Sequence, residues 1–257
     1  MKPGMVFQLV ILVLTWVLVY LGIYRGGQGI MPKVRRIAGL DAIEEAVGRA
    51  TETNKAVYIT PGSGGLSDDS AIQTLAGLAI MEHTVKICAR YKAPFWVSMR
   101  QAQVFPLADE MVRSALASEA AMDLYKTDTV EYLSEEQFAF AMGTLGRMQR
   151  QGVAAAVLVG FFQAESLLLA EGAAQQGAIT IGGCSREVQI PFFVVACDYT
   201  LIGEELMVGG AYLSKNAVQL GGLWGQDGMK IVGIAFVVLG VLAKMVNSKI
   251  LDDLFKM

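Results

Sequence analysis

KAVYITPGSGGLSDD (55–69) decides the fold. Its first six residues form a β-rich apolar run. Pro61-Gly-Ser-Gly-Gly then breaks the strand, and Ser67, Asp68 and Asp69 offer side chains that cap a helix N-terminus. The spacing predicts strand, glycine-rich loop and helix, with the helix continuing to about Tyr91. The same order recurs downstream. PFWVS (94–98) precedes a helix from about Pro106 to Ala121. VEYL (130–133) precedes a helix opened by the capping-box spacing Ser134-Glu-Glu-Gln137. AAAVLVGFF (154–162) precedes a helix from about Glu165 to Gln175, and Ala178–Gly182 is a fifth strand. FFVVAC (192–197) reads as a sixth strand or as the start of a helix. Upstream, Asp41-Ala-Ile-Glu44 has capping-box spacing and opens a helix over 41–52. Short apolar strands alternating with helices of ten or more residues call for parallel βαβ units covered on both faces. The expected fold class is α/β: a Rossmann-like, doubly wound, mostly parallel sheet, flanked by N- and C-terminal transmembrane helices.

Those flanking segments account for the composition. Of 257 residues, 54% are hydrophobic and 18% charged, against a soluble norm of less apolar and more charged sequence. Much of the excess lies near the two ends. Met5–Tyr24 (MVFQLVILVLTWVLVYLGIY) carries no charge over a length that rises about 30 Å as a helix, the thickness of a bilayer core. Tyr-Arg-Gly-Gly follows where a cleaved leader would need a small-residue site, so an uncleaved anchor is expected. Ile231–Ala243 (IVGIAFVVLGVLA) is a second, shorter apolar run that ends at Lys244, and a buried core helix is its competing reading. The expected organisation is an N-terminal transmembrane helix (1–25), a basic linker (26–40), the α/β domain (41–220), a Gly-rich hinge (221–230) and a C-terminal transmembrane helix with a short tail (231–257). Arg25, Lys33, Arg35 and Arg36 follow the first span and only Lys2 precedes it, which puts the domain in the cytoplasm. Lys244, Lys249 and Lys256 after the second span argue the other way.

Charge and cysteine content exclude several classes. A net charge of −3 gives no electrostatic footprint for nucleic acid. Three separated cysteines, Cys88, Cys184 and Cys197, form neither a CxxC pair nor a disulfide framework. A single histidine, His83, argues against a His-based metal site or a Ser-His-Asp triad.

LSDDSAIQTLAGLAI (66–80), VFPLADEMVR (104–113), PFFVVACDYTLIGEEL (191–206) and GAYLS (210–214) carry a resemblance to an uncharacterised prokaryotic family. Its members resemble this chain as membrane-anchored proteins that carry a domain of unknown function. The resemblance implies the architecture and supplies no catalytic residues.

Candidate sites follow from topology. In doubly wound sheets ligands bind outside the carboxyl ends of the strands. Gly62, Ser63, Gly64, Gly65 and Ser67 stand there after the first strand, where backbone N–H groups can cradle an anion. Neither GxGxxG nor GxxxxGK[ST] is present, and Asp68 and Asp69 repel a phosphate. Ser98 and Arg100 after the second strand, and Gln163 and Glu165 after the fourth, converge on the same edge; Arg100 suits an anion and Glu165 a general base, or both serve as helix caps and local ion pairs. Cys197, Asp198, Glu204 and Glu205 group near one another, with Cys197 read as a buried structural residue. No catalytic set, cofactor or metal is expected.

Abundant small and soft residues (28 Gly, 13 Met) and the run Phe138, Phe140, Met142 point to subunit contacts. The expected function is therefore a membrane-anchored structural or scaffolding protein that self-assembles through its α/β domain into a homo-oligomer. The lipid bilayer, and other membrane proteins besides, are its partners. The alternative is a small-ligand domain, for a nucleotide or anion, that uses the Gly-rich loop.

Overall fold

The computed structural model describes residues 5–28, 36–214 and 217–245, which fall into two compact units. The larger, Arg35–Ser214, is the α/β domain. It follows the N-terminal helix α1 (Met5–Gly27) of the smaller unit in the chain, opens with α2 (Ala38–Thr53), and continues β1 (Ala56–Gly62), α3 (Ala71–Tyr91), β2 (Phe95–Met99), α4 (Phe105–Ser118), β3 (Val130–Tyr132) and α5 (Gln137–Gln151). β4 (Val153–Phe161), α6 (Glu165–Ala174), β5 (Ile179–Cys184), α7 (Ile190–Ala196), β6 (Tyr199–Ile202) and α8 (Glu204–Ser214) complete it.

The six strands form one all-parallel sheet in the order β3-β2-β1-β4-β5-β6. This is the doubly wound order, and the chain reverses direction across the sheet between β1 and β4. Two-residue periodicity divides each strand between two cores. Val57 and Ile59 of β1 and Ala155, Val157 and Val159 of β4 face α2, α3 and α4, where Leu78, Met81, Val85 and Leu116 are buried. Tyr58, Trp96, Ala156 and Leu158 face the other way, onto Phe140 and Met148 of α5 and Leu169 of α6. Every residue from Val153 to Gly160 is buried, which explains why β4 reads as an unbroken apolar run.

Several local expectations change. The Asp41–Glu44 spacing does not start α2, which begins three residues earlier behind Ile37 with no side-chain cap; Asp41 instead accepts from Arg36 (3.0 Å) and from the Tyr212 hydroxyl (3.0 Å). At α5 the cap shifts by two residues: the Glu136 carboxylate accepts from the Ala139 amide at 2.9 Å. Of the two readings open for 192–197, the helix holds: residues 192–196 lie in α7, with Pro191 in its first turn and Cys197 as its C-cap, and the sixth strand lies beyond it at Tyr199–Ile202. A sixth strand at 192–197 would bury both Val194 and Val195 in the sheet, whereas both are exposed.

The smaller unit is a pair of helices, α1 (Met5–Gly27) and α9 (Ala217–Met245). They pack antiparallel: Gly22 meets Gly221, Val19 and Leu18 meet Gly225, and the Thr15 hydroxyl meets Met229 Sδ at 3.6 Å. The segment expected as a hinge, 221–230, is thus continuous helix, and its glycines form the seam between the two helices. A Cβ on Gly225 would stand 2.6 Å from Val19 Cα, and one on Gly221 would strike the Gly22 carbonyl. Gly221 and Gly225 have the four-residue spacing that lets helix backbones approach closely. The second apolar stretch accordingly extends over Leu220–Leu242, 23 residues, beside Gln8–Gly27 in the first helix. Both are long and apolar enough to cross a membrane, and only 11% and 6% of them is buried, unlike the core helix of a soluble domain. Lys2, Lys33, Arg35, Lys249 and Lys256, which bear on orientation, lie outside the described residues, as does the side chain of Lys244.

Candidate functional site

Doubly wound sheets bind ligands where the strand order reverses, here between β1 and β4, and the residues expected at that edge are present. β1 ends at Gly62 with φ +91°, a left-handed conformation that favours glycine. A Cβ at this position would stand 2.7 Å from the Phe161 amide nitrogen of β4. The close approach lets the Ser63 amide donate to the Phe161 carbonyl at 2.7 Å. The Ser63 hydroxyl then donates to Glu165 Oε1 across the switch point.

Glu165 is fully buried at the first turn of α6. Besides Ser63, its carboxyl group accepts from the Gln163 amide (3.1 Å) and from Gln137 Nε2 (2.6 Å). The N-terminal end of a helix dipole also favours a carboxylate at this position. A buried carboxyl group is tolerable only where donors satisfy it, and three do so here. Arg100 does not touch Glu165. Its Nη1 donates to Gln163 Oε1 at 3.1 Å and its Nε to the Glu135 carbonyl at 2.8 Å, so it stands one side chain away from the carboxyl group.

The glycine loop is packed by its own side chains. Gly65 N–H, one of the amides available to an anion, donates to Ser70 Oγ at 2.9 Å. A Cβ at Gly64 would stand 2.5 Å from Thr74 Oγ1 and 2.7 Å from Ser70 Oγ. Asp68 Oδ1 accepts from the Ser70 amide (3.0 Å) and hydroxyl, which ties the loop to the start of α3. Ser67 is exposed on the outer lip, 3.4 Å from Gln103 Oε1. Of the expected set, Gly62, Ser63 and Glu165 come together directly. Arg100 joins through Gln163, Gly64 and Gly65 line the loop behind them, and Ser67 stands apart.

The other expected candidates resolve into structure. Ser98 bonds instead to Tyr58 (2.9 Å) and Thr144 (3.3 Å) among buried residues, and burial pushes the Tyr58 phenol up to about 12. Asp198 accepts from the Thr180 amide (2.8 Å) and hydroxyl (2.9 Å), clamping the start of β6 to β5. Burial pushes the neighbouring Cys197 thiol up to about 12, the wrong direction for a nucleophile at neutral pH. Burial lowers the pKa of His83, and Arg90 and Lys86 lower it further. Among the described residues, no group of three His, Cys, Asp or Glu side chains is placed to hold a metal ion.

Gln137 is the contributor that sequence reasoning missed. Its position fitted a helix-capping residue, and only the packing of α5 beside α6 turns it toward Glu165. A second concavity, also unforeseen, lies at the opposite, amino-terminal edge of the sheet. This cleft of about 410 Å³ is lined by Asn54, Lys92, Trp96, Lys126 and Arg147 among others. The Arg147 guanidinium lies over the Trp96 ring at 4.5 Å and pairs with Asp128 (3.1 Å) and Glu131 (2.5 Å). Those carboxylates hold the cleft's most buried cation.

The fold and site define a doubly wound α/β protein with a closed, polar switch point and an apolar helical hairpin. The chain belongs to the family described as a domain of unknown function, DUF6754, whose model matches residues 2–255. No curated protein and no solved structure matches it.

Proposed function

We propose that this protein is a membrane-anchored structural or scaffolding protein whose α/β domain lies at the cytoplasmic face and self-assembles. The exposed apolar side chains on the α5 and α7 layer carry this reading. On α5, Phe138 and Met142 are 54% and 63% exposed; on α7, Val194 and Val195 are 52% and 85% exposed. Large apolar side chains grouped on one layer mark contact surfaces more often than solvent faces. The closed switch point supports the same reading, because Ser63 and Glu165 satisfy each other. Native mass spectrometry of the detergent-solubilised full chain tests it. Oligomers are expected, together with a shift toward monomer in Val195→Asp combined with Met142→Glu. Monomer alone in the unaltered protein overturns the proposal.

A second reading, binding of a nucleotide or other anion, draws on one observation: Arg100 stands beside the switch point, two hydrogen bonds from Glu165. Thermal-shift screening of the full chain with nucleotides and inorganic phosphate tests this. A stabilisation lost in Arg100→Ala supports it, and no shift with any of them removes it. Gly64→Val is a poor probe, since the added side chain would strike Thr74 and Ser70 whatever the loop binds.

A further inference from the structure

The register of the helical hairpin sets a depth that neither helix shows alone. Thr15 stands at the middle of the uncharged run Met5–Tyr24, and its hydroxyl meets Met229 Sδ at 3.6 Å. Leu18 and Val19 meet Gly225, one turn further along α9's partner. Residues 226–230 of α9 therefore lie level with residues 15–18 of α1. That level is ten to thirteen residues from Met5 and six to nine from Tyr24, roughly 9–20 Å of rise from either end of the run. At this depth α9 presents three polar side chains on one side: Gln226, Asp227 and Lys230. Asp227 and Lys230 pair at 3.1 Å, and their side chains are 68% and 48% exposed on the hairpin. The seam against α1 is made by Gly221 and Gly225, so the polar side faces outward.

Moving the charges to the membrane surface does not resolve this. If α9 entered the bilayer only at Ile231, the fixed register would draw residues 15–24 of α1 out with it. Trp16, Val17, Leu21 and Ile23, all exposed on the hairpin, would then face water. If the hairpin crosses as one body, an ion pair stands near the bilayer midplane on its outer face. Ionisable side chains at that depth face protein or water and not lipid tails.

Resting on the membrane-anchored, self-assembling reading above, we propose that the Gln226–Asp227–Lys230 side of α9 docks on the same side of a second copy of this chain. The face holds one charge of each sign, so it is complementary to itself. A two-fold axis along the membrane normal sets the two α9 helices parallel, with Asp227 offset from Lys230 of the partner subunit by three residues, about 4.5 Å of rise. The flexible lysine stem spans that offset. Each copy thus closes a reciprocal pair across the interface, and the neutral quartet replaces two lipid-exposed ion pairs.

Disulfide capture in vesicles of phosphatidylcholine and phosphatidylglycerol tests the proposal on the full chain. Ile234→Cys places a thiol one turn beyond Lys230 on the same side, and Leu239→Cys places one elsewhere on the helix. Mild oxidation is expected to trap dimers through position 234 and not through 239. In the Ile234→Cys background, Asp227→Lys sets lysines against lysines and is expected to cut dimer yield at least about tenfold. Adding Lys230→Asp to it restores the yield. Asp227→Asn with Lys230→Gln keeps polarity and size, inserts without net charge change, and is expected to lower the yield several-fold. Dimers that persist unchanged in both Asp227→Lys and the Asn/Gln variant overturn this inference and leave the self-assembly reading standing. So does failure of the charge swap to restore capture in chain that has inserted. An unaltered protein that is monomeric both in vesicles and by mass spectrometry overturns both, whether the face meets another membrane protein or water.

Discussion

The molecule has two glycine-rich stretches, Gly62–Gly65 and Gly221–Gly228, and their sequences look alike in purpose: a loop and a hinge. In the structure neither works by flexibility. At the first, Gly62 adopts a left-handed turn and lets β1 and β4 close to within contact of each other's backbone, with polar side chains filling the space around Gly64. At the second, the chain is ordinary helix, and glycine serves by lacking a side chain where α1 crosses. Both stretches bring backbones together. They differ in what fills the remaining space: hydroxyl, amide and carboxyl groups at the switch point, and apolar helix surface in the hairpin.

Substitutions in the two stretches should separate cleanly. The largest effect is expected from Gly62→Val, which adds strain at positive φ to a collision with Phe161. A cost of about 4 kcal/mol, some 10 °C in the domain's melting temperature, is expected by differential scanning fluorimetry of the solubilised chain. The hairpin should not change in the same variant. Glu165→Leu comes next. It leaves Ser63, Gln137 and the Gln163 amide without their acceptor and is expected to cost about 3 kcal/mol, while Glu165→Gln, which keeps one acceptor oxygen, costs less than half of that. A loss confined to anion binding, with no change in melting, would mean that the switch point is an open site and break the comparison.

Gly225→Leu is expected to cost about 1–3 kcal/mol in the hairpin alone, because Val19 backbone atoms cannot yield as a flexible side chain would. Disulfide capture between Thr15→Cys and Met229→Cys reads it: capture should be lost with the domain's melting temperature unchanged. The smallest effect is a pH dependence belonging to the domain. His83 has its pKa lowered in the fold by burial and by Arg90 and Lys86. The unfolded chain therefore binds the proton more readily, so stability is full above the unfolded value of 6.5 and declines as pH falls below it. A modest fall in melting temperature from pH 7.5 to 5.5, flattened in His83→Gln, is expected.

Much of the architecture was legible because it rests on local periodicity. The apolar runs at 55–60, 94–98, 130–133, 154–162 and 178–182 correspond to β1 to β5 within two residues at their ends. Errors fell where a local pattern serves two structures. Asp41–Glu44 and Ser134–Gln137 have capping-box spacing, but tertiary bonds recruited Asp41 to Arg36 and Tyr212 and Gln137 to Glu165. FFVVAC was no error but an open choice: it is apolar enough for a buried strand or a helix, and its place outside the sheet, with Val194 and Val195 exposed, decides for the helix. At the candidate site, the chemistry of Ser63, Arg100 and Glu165 was readable, while the fact that Ser63 and Glu165 consume each other was not.

By itself the sequence determined that this is an α/β chain with one long apolar helix and a second, shorter apolar run, since residue type and spacing decide which faces avoid water; that the second run extends over Leu220–Leu242 came from the structure. Strand order, the closure of the switch point and the depth of Asp227 and Lys230 were decided by the tertiary structure. Each depends on contacts between residues roughly 100 to 200 positions apart: Ser63 with Glu165, Gly62 with Phe161, Thr15 with Met229. Such pairs leave no local trace in the chain, because the free energy that selects them comes from packing surfaces that meet only after the elements have formed.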